Sequence, residues 1–161
     1  MNDPALNQRL AEVARVAVEL EKKTGCPARA MVAQWALESH WGAKPAGHAN
    51  YFGIKKAARH TLACTVMTRE VIDGKSVMQP LAFADYASLA DSCADYAWLM
   101  THGAPYRAAW TQYQRDFDVG AFVGRVAAVY ATDPHYRELA VAIANQPNVR
   151  GAVQAVRQEY A

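Results

Sequence analysis

Apolar residues recur at spacings of three and four from the start of the chain. Leu6, Leu10, Val13, Ala17 and Leu20 mark one face of a helix that Asp3 caps, Pro4 opens and Gly25 stops. A second helix runs from about Pro27 with Met31, Val32, Trp35 and Ala36 on its buried face. Gly42 supplies its stop, which leaves Glu38 in the last turn. Pro45, Gly47 and Asn50 then mark a loop, and the pattern changes character. Thr65 to Ile72 and Lys75 to Leu81 flank Asp73-Gly74, the two-residue signal of an antiparallel hairpin.

Helical spacing returns after the hairpin. Ser88 caps a helix carrying Leu89, Cys93, Tyr96 and Met100 to a stop at Gly103, and Pro105 to Tyr113 forms a shorter one. Asp118 caps a helix with Phe122, Val126 and Val129 on its apolar face, and Asp133 or Thr132 caps another that opens at Pro134. From Val149 to Ala161, the residues Val149, Val153, Val156 and Tyr160 keep the spacing of a last helix, packed or frayed. The pattern predicts one domain over residues 1–161, mainly α with a single small hairpin, an α+β arrangement without repeats or an internal linker. Trp98 and Trp110 fall at core spacing on their helices and need no functional reading.

Composition narrows the function. With 161 residues, 52% of them hydrophobic and 20% charged, the chain can bury one core without staples. The net charge of +2 is spread out, so no nucleic-acid partner is expected. No stretch approaches the ~18 apolar residues of a membrane span, and no secretory signal opens the chain. A substrate outside the cell would therefore require a dedicated secretion route, lysis, or membership of a longer exported protein. Cys26, Cys64 and Cys93 are read as buried apolar residues, with a Cys64–Cys93 bridge left open. The histidines are dispersed; neither a metal nor a cofactor is expected.

The candidate chemistry centres on Trp35-Ala36-Leu37-Glu38-Ser39-His40-Trp41-Gly42. A glutamate among such neighbours loses hydration on burial, which disfavours its charged form and suits it to donate a proton near neutral pH. The alternative is a solvated helix glutamate beside two core tryptophans. A helical domain with one hairpin and such a glutamate resembles the lysozyme-like arrangement, in which the acid lies between helical and sheet lobes.

Four ordered blocks are more specific. Ala36-Leu37-Glu38-Ser39-x-Trp41-Gly42, Asn50-x-Phe52-Gly53-Ile54-Lys55, Phe83-x-Asp85-Tyr86-x-Ser88 with Asp95-Tyr96, and Tyr130-Ala131-Thr132-Asp133-Pro134-x-Tyr136 resemble the signature of the glucosaminidase domain, glycoside hydrolase family seventy-three, which includes bacterial autolysins. The resemblance covers about Ala28 to Ile143. It implies cleavage of the β-1,4 bond after N-acetylglucosamine in the glycan strands of peptidoglycan, by a monomer acting in the periplasm or cell wall, with Glu38 as general acid. A glycosidase needs a second group, either nucleophile or base. The family often carries one on the hairpin, and Glu70 is that candidate here; otherwise it is a solvent-facing residue paired with Arg69 or Lys75.

Tyr130 matches the tyrosine opening the family's last block and would position substrate or stabilise charge, unless it packs on Pro134. Sugar rings stack on aromatic side chains, so Tyr51, Phe52, Tyr86 and Tyr106 are candidate subsite walls. Lys55 could meet a carboxylate of the peptide stem. Asp95 matches an acidic family position and could equally hold a lysine or a backbone group. His40 and the loop from Arg59 to Cys64 depart from the pattern and bear on subsite preference. The competing readings are a lytic transglycosylase, for which Glu70 would be dispensable, and a non-catalytic wall-binding module.

Overall fold

A computed structural model describes residues 3–161. Seven α-helices surround a core, and one hairpin projects from them: α1 (Pro4–Thr24), α2 (Ala28–Ser39), β1 (Leu62–Ile72), β2 (Lys75–Asp85), α3 (Leu89–His102), α4 (Arg107–Asp116), α5 (Val119–Tyr130), α6 (Pro134–Ala144) and α7 (Pro147–Glu159). This is the mainly α, lysozyme-like class expected from the sequence.

The caps act as read. Asp3 accepts from Ala5 N–H, Ser88 from Asp91 N–H, Asp118 from Ala121 N–H and Asp133 from His135 N–H. Each satisfies an N–H that has no partner inside its helix. The core gathers on α2, nine of whose twelve residues are buried, Met31, Val32, Trp35 and Ala36 among them. Helices α1, α3, α5, α6 and α7 pack around it. The last helix is packed rather than frayed, because Val149, Val153 and Val156 are buried. Tyr160 is exposed and carries Lys22 over its ring at 3.4 Å.

Several elements differ from the pattern-based expectation. Helix α2 stops at Ser39, three residues before Gly42, because His40 and Trp41 already take left-handed conformations (φ 51° and 57°). Ser39 secures that exit: its hydroxyl donates to Trp35 C=O and accepts from Gly42 N–H. Gly42 (φ 80°) is still required, since a Cβ there would lie 2.5 Å from the Trp35 ring. The segment after Gly103 starts as a 3₁₀ turn, Ala104–Tyr106, before α4.

Asp73 and Gly74 turn the hairpin with φ 52° and 74°, the positive values a two-residue turn of the primed type demands. The strands run further than their apolar alternation, to Leu62 and Asp85, because pairing continues through Cys64 opposite Phe83 and Leu62 opposite Asp85. Trp98 leaves the core, being 43% exposed, since the buried stripe of α3 runs through Cys93, Tyr96, Ala97 and Met100 on another face. Trp110 packs against the core. All three cysteines are free, so Cys64 and Cys93 are not bridged. Among the described residues, no helix is long and apolar enough to cross a membrane.

Candidate active site

Glu38 sits one residue before the end of α2, where the turn of helix beneath it is fully packed and the chain is about to reverse. Its Oε1 accepts a hydrogen bond from Tyr136 Oη at 2.7 Å. Across from it lies the backbone of Gly53 (φ 65°), whose missing side chain matters: a Cβ would sit 2.8 Å from Glu38 Oε2. Desolvation raises the Glu38 pKa above the usual glutamate value, and the Tyr136 hydrogen bond offsets only part of that rise. Among the described residues, no cation contributes a compensating pull. The result is a carboxyl group biased toward its protonated form.

Three tyrosines enclose this group. Tyr130 donates to the Phe52 carbonyl oxygen, tying the end of α5 to the Phe52-Gly53 segment. Its ring lies parallel to Tyr136 at 6.4 Å and tilted against Tyr106 at 6.2 Å. Behind them, Gln34 donates to Tyr136 Oη at 3.4 Å and accepts from Tyr96 Oη. Gln34 and Glu38 share a helix face because they are four residues apart. The segment opposite is held by Asn50, almost completely buried, whose amide donates to Ile54 and Ala84 C=O and accepts from Phe52 and Ile54 N–H.

A recess of about 330 Å³ opens over Gly53, with Tyr106, Tyr130, Lys55 and Arg59 in its walls. A neighbouring groove of about 260 Å³ runs along the hairpin between Lys55, Thr68, Glu70 and Gln79. Glu70 is exposed and accepts from Thr68 Oγ1 at 3.4 Å. It has no ion pair with Arg69, whose guanidinium goes to Ser76. Glu70 thus lines the hairpin groove, which shares Lys55 with the recess over Gly53, while Glu38 lies behind Gly53 and lines neither depression.

The aromatic candidates divide. Tyr106 and Tyr130 line the recess. Phe52 does not: its ring is wholly buried and stacked on Tyr96 at 4.5 Å, so only its backbone reaches the site, and a sugar has no face to stack on. Tyr51 lies outside both depressions, its N–H bonded to Ser92. Tyr86 is buried, with its hydroxyl donating to Asp95.

Among the described residues, Asp95 pairs with no lysine. Its oxygens accept from Arg59 Nε and Nη2, His60 Nε2 and Tyr86 Oη. Burial alone would raise its pKa, but these donors outweigh burial and hold it below the usual aspartate value. Since His60 Nδ1 accepts from Ala57 N–H, its Nε2 carries the proton given to Asp95. Asp95 thus anchors the Arg59-His60 loop at the rim, and Arg59 lies over the exposed Trp98 ring at 4.6 Å. Among the described residues, no cluster of His, Cys, Asp and Glu could hold a metal ion.

The local sequence marks Glu38 but not the side chain that touches it. Tyr136 was legible only as the last letter of the fourth block, and Gln34 carried no signal beyond its position one turn before Glu38.

The family model described as Glucosaminidase: Mannosyl-glycoprotein endo-beta-N-acetylglucosaminidase matches residues 14–149. The chain is 32% identical over 159 residues to a protein of Pseudomonas aeruginosa named peptidoglycan hydrolase FlgJ, a match covering 91% of this chain and 38% of that protein. It is 28% identical over 135 residues to a probable N-acetylmuramidase of Lactococcus lactis, covering 79% of this chain and 30% of that one. The chain thus spans well under half of either relative. The catalytic domain of the autolysin Auto from Listeria monocytogenes superposes with a TM-score of 0.78 at 25% identity, over 94% of this chain and 90% of that domain.

Proposed function

The chain belongs to the glucosaminidase family, and from that premise we propose that it is a peptidoglycan hydrolase which cuts the β-1,4 bond following N-acetylglucosamine, with Glu38 as general acid. The observation that carries this reading is the setting of Glu38: a half-buried carboxyl that accepts from Tyr136 and is approached by backbone at Gly53, where desolvation raises its pKa. Such a group can deliver a proton to the leaving glycosidic oxygen. The names borne by similar proteins point to a glycan of the bacterial wall as substrate and to the wall as the place of action.

The oxocarbenium-like transition state requires help on the opposite face of the sugar. Glu70 is the carboxylate that lines the adjacent groove, and its place in a separate depression suits activation of a water better than direct attack. Tyr130 holds the Phe52 carbonyl and lines the recess with Tyr106, so it fixes the site's shape and presents a wall to the substrate.

The test is Glu70→Gln. Turnover on purified peptidoglycan should fall roughly a hundredfold, in the range of a lost general base, while the melting temperature stays unchanged because the side chain is exposed and, among the described residues, hydrogen-bonds only to Thr68. Full activity in this variant would remove Glu70 from the reaction and favour a single-glutamate transglycosylase.

A further inference from the structure

Lys55 lines both the recess over Gly53 and the hairpin groove beside Glu70. Its backbone is fixed. Lys55 bridges Phe83 on β2, and the flanking residues add hydrogen bonds of Lys56 N–H to Ala82 C=O and Ala84 N–H to Ile54 C=O, both 3.0 Å. Its side chain is exposed, and no carboxylate lies within ion-pairing distance among the described residues. The other cation in the recess wall, Arg59, is already neutralised by Asp95 through two nitrogens. A strand passing from one depression to the other therefore meets one uncompensated ammonium, at the residue the two depressions share.

We infer that Lys55 is a specificity-determining residue: it selects glycan strands that carry a carboxylate on alternate sugars over neutral homopolymers of N-acetylglucosamine. The inference rests on the hydrolase reading above. The chemistry recognised is the carboxylate itself, whether the lactyl acid of a muramic unit or an acid of the peptide attached to it. A lysine offers a hydrated point charge on a flexible stem, without the fork that fixes carboxylate geometry. It therefore suits a substituent whose position varies from strand to strand, and its contribution is sensitive to salt.

The experiment is calorimetric binding to the inactive Glu38→Gln protein of three oligosaccharides of equal length: a chito-oligosaccharide, a peptide-free wall oligosaccharide and a peptide-bearing one. At low salt the acid-bearing ligands should bind about fivefold tighter than the neutral one, the upper end of what one exposed charge contact contributes. The margin should shrink at high salt, vanish with Lys55→Gln added, and persist with Lys55→Arg. A margin already present with the peptide-free ligand identifies the lactyl acid; one seen only with the peptide-bearing ligand identifies the peptide. Equal binding of all three, or a preference that survives Lys55→Gln, overturns the inference and leaves the hydrolase reading standing. Binding of none overturns both.

Discussion

Glu38→Gln should abolish hydrolysis, with a loss on the order of a hundredfold to ten-thousandfold, while the fold is retained or gains stability at neutral pH. The amide keeps the shape and still accepts from Tyr136, but it has no proton to deliver. The stability effect follows from linkage. Burial raises the Glu38 pKa in the folded state, so in the interval between the ordinary glutamate value and that raised value the folded protein binds more protons than the unfolded chain. Its stability therefore declines as pH rises through this interval. The neutral amide carries no such penalty. Melting curves of the two proteins should converge at acid pH and separate in favour of the variant as pH rises, whereas wild-type turnover should fall as Glu38 ionises. Retained turnover in the variant, or a variant that melts earlier throughout, would show that Glu38 serves packing instead.

Asn50→Ala should cause a large loss of stability without touching the proposed acid. The buried amide of Asn50 makes four hydrogen bonds, and its removal leaves the Phe52 and Ile54 N–H groups without their acceptor in a site closed to water. Each such orphan costs about 1–3 kcal/mol, so a total near 3 kcal/mol is expected, a drop of roughly 6–12 °C in a domain of this size. Activity should fall too at temperatures where the variant is folded, because Gly53 would no longer be held against Glu38. Thermal melts with parallel assays check both parts; a melting temperature within a degree or two of wild type would mean that the loop is secured elsewhere.

Much of this was legible locally. The hairpin was readable because Asp73-Gly74 supplies two positive φ values in succession, and Glu38 because apolar neighbours surround it along the chain. What was not legible depends on contacts between distant segments. Tyr136 lies 98 residues from the carboxylate it touches, and only the fold brings them together. Between the adjacent Tyr51 and Phe52 no local rule says which ring enters the core; the decision comes from Tyr96, stacked on Phe52 from α3. Asp95 read as a site residue because it belongs to a family block, yet Arg59, His60 and Tyr86 converge on it from a loop and a strand end. Trp98 shows the limit of periodicity: its helix buries a neighbouring stripe, and the indole is half-exposed beneath Arg59.

The most direct test of the proposed reaction is the new end it leaves. Peptidoglycan digested in heavy-oxygen water, reduced with borohydride and analysed by mass spectrometry should yield N-acetylglucosaminitol, with one solvent oxygen incorporated for each bond cut. Reduced muramic acid at the new ends, or anhydromuramic ends without label, would contradict the account.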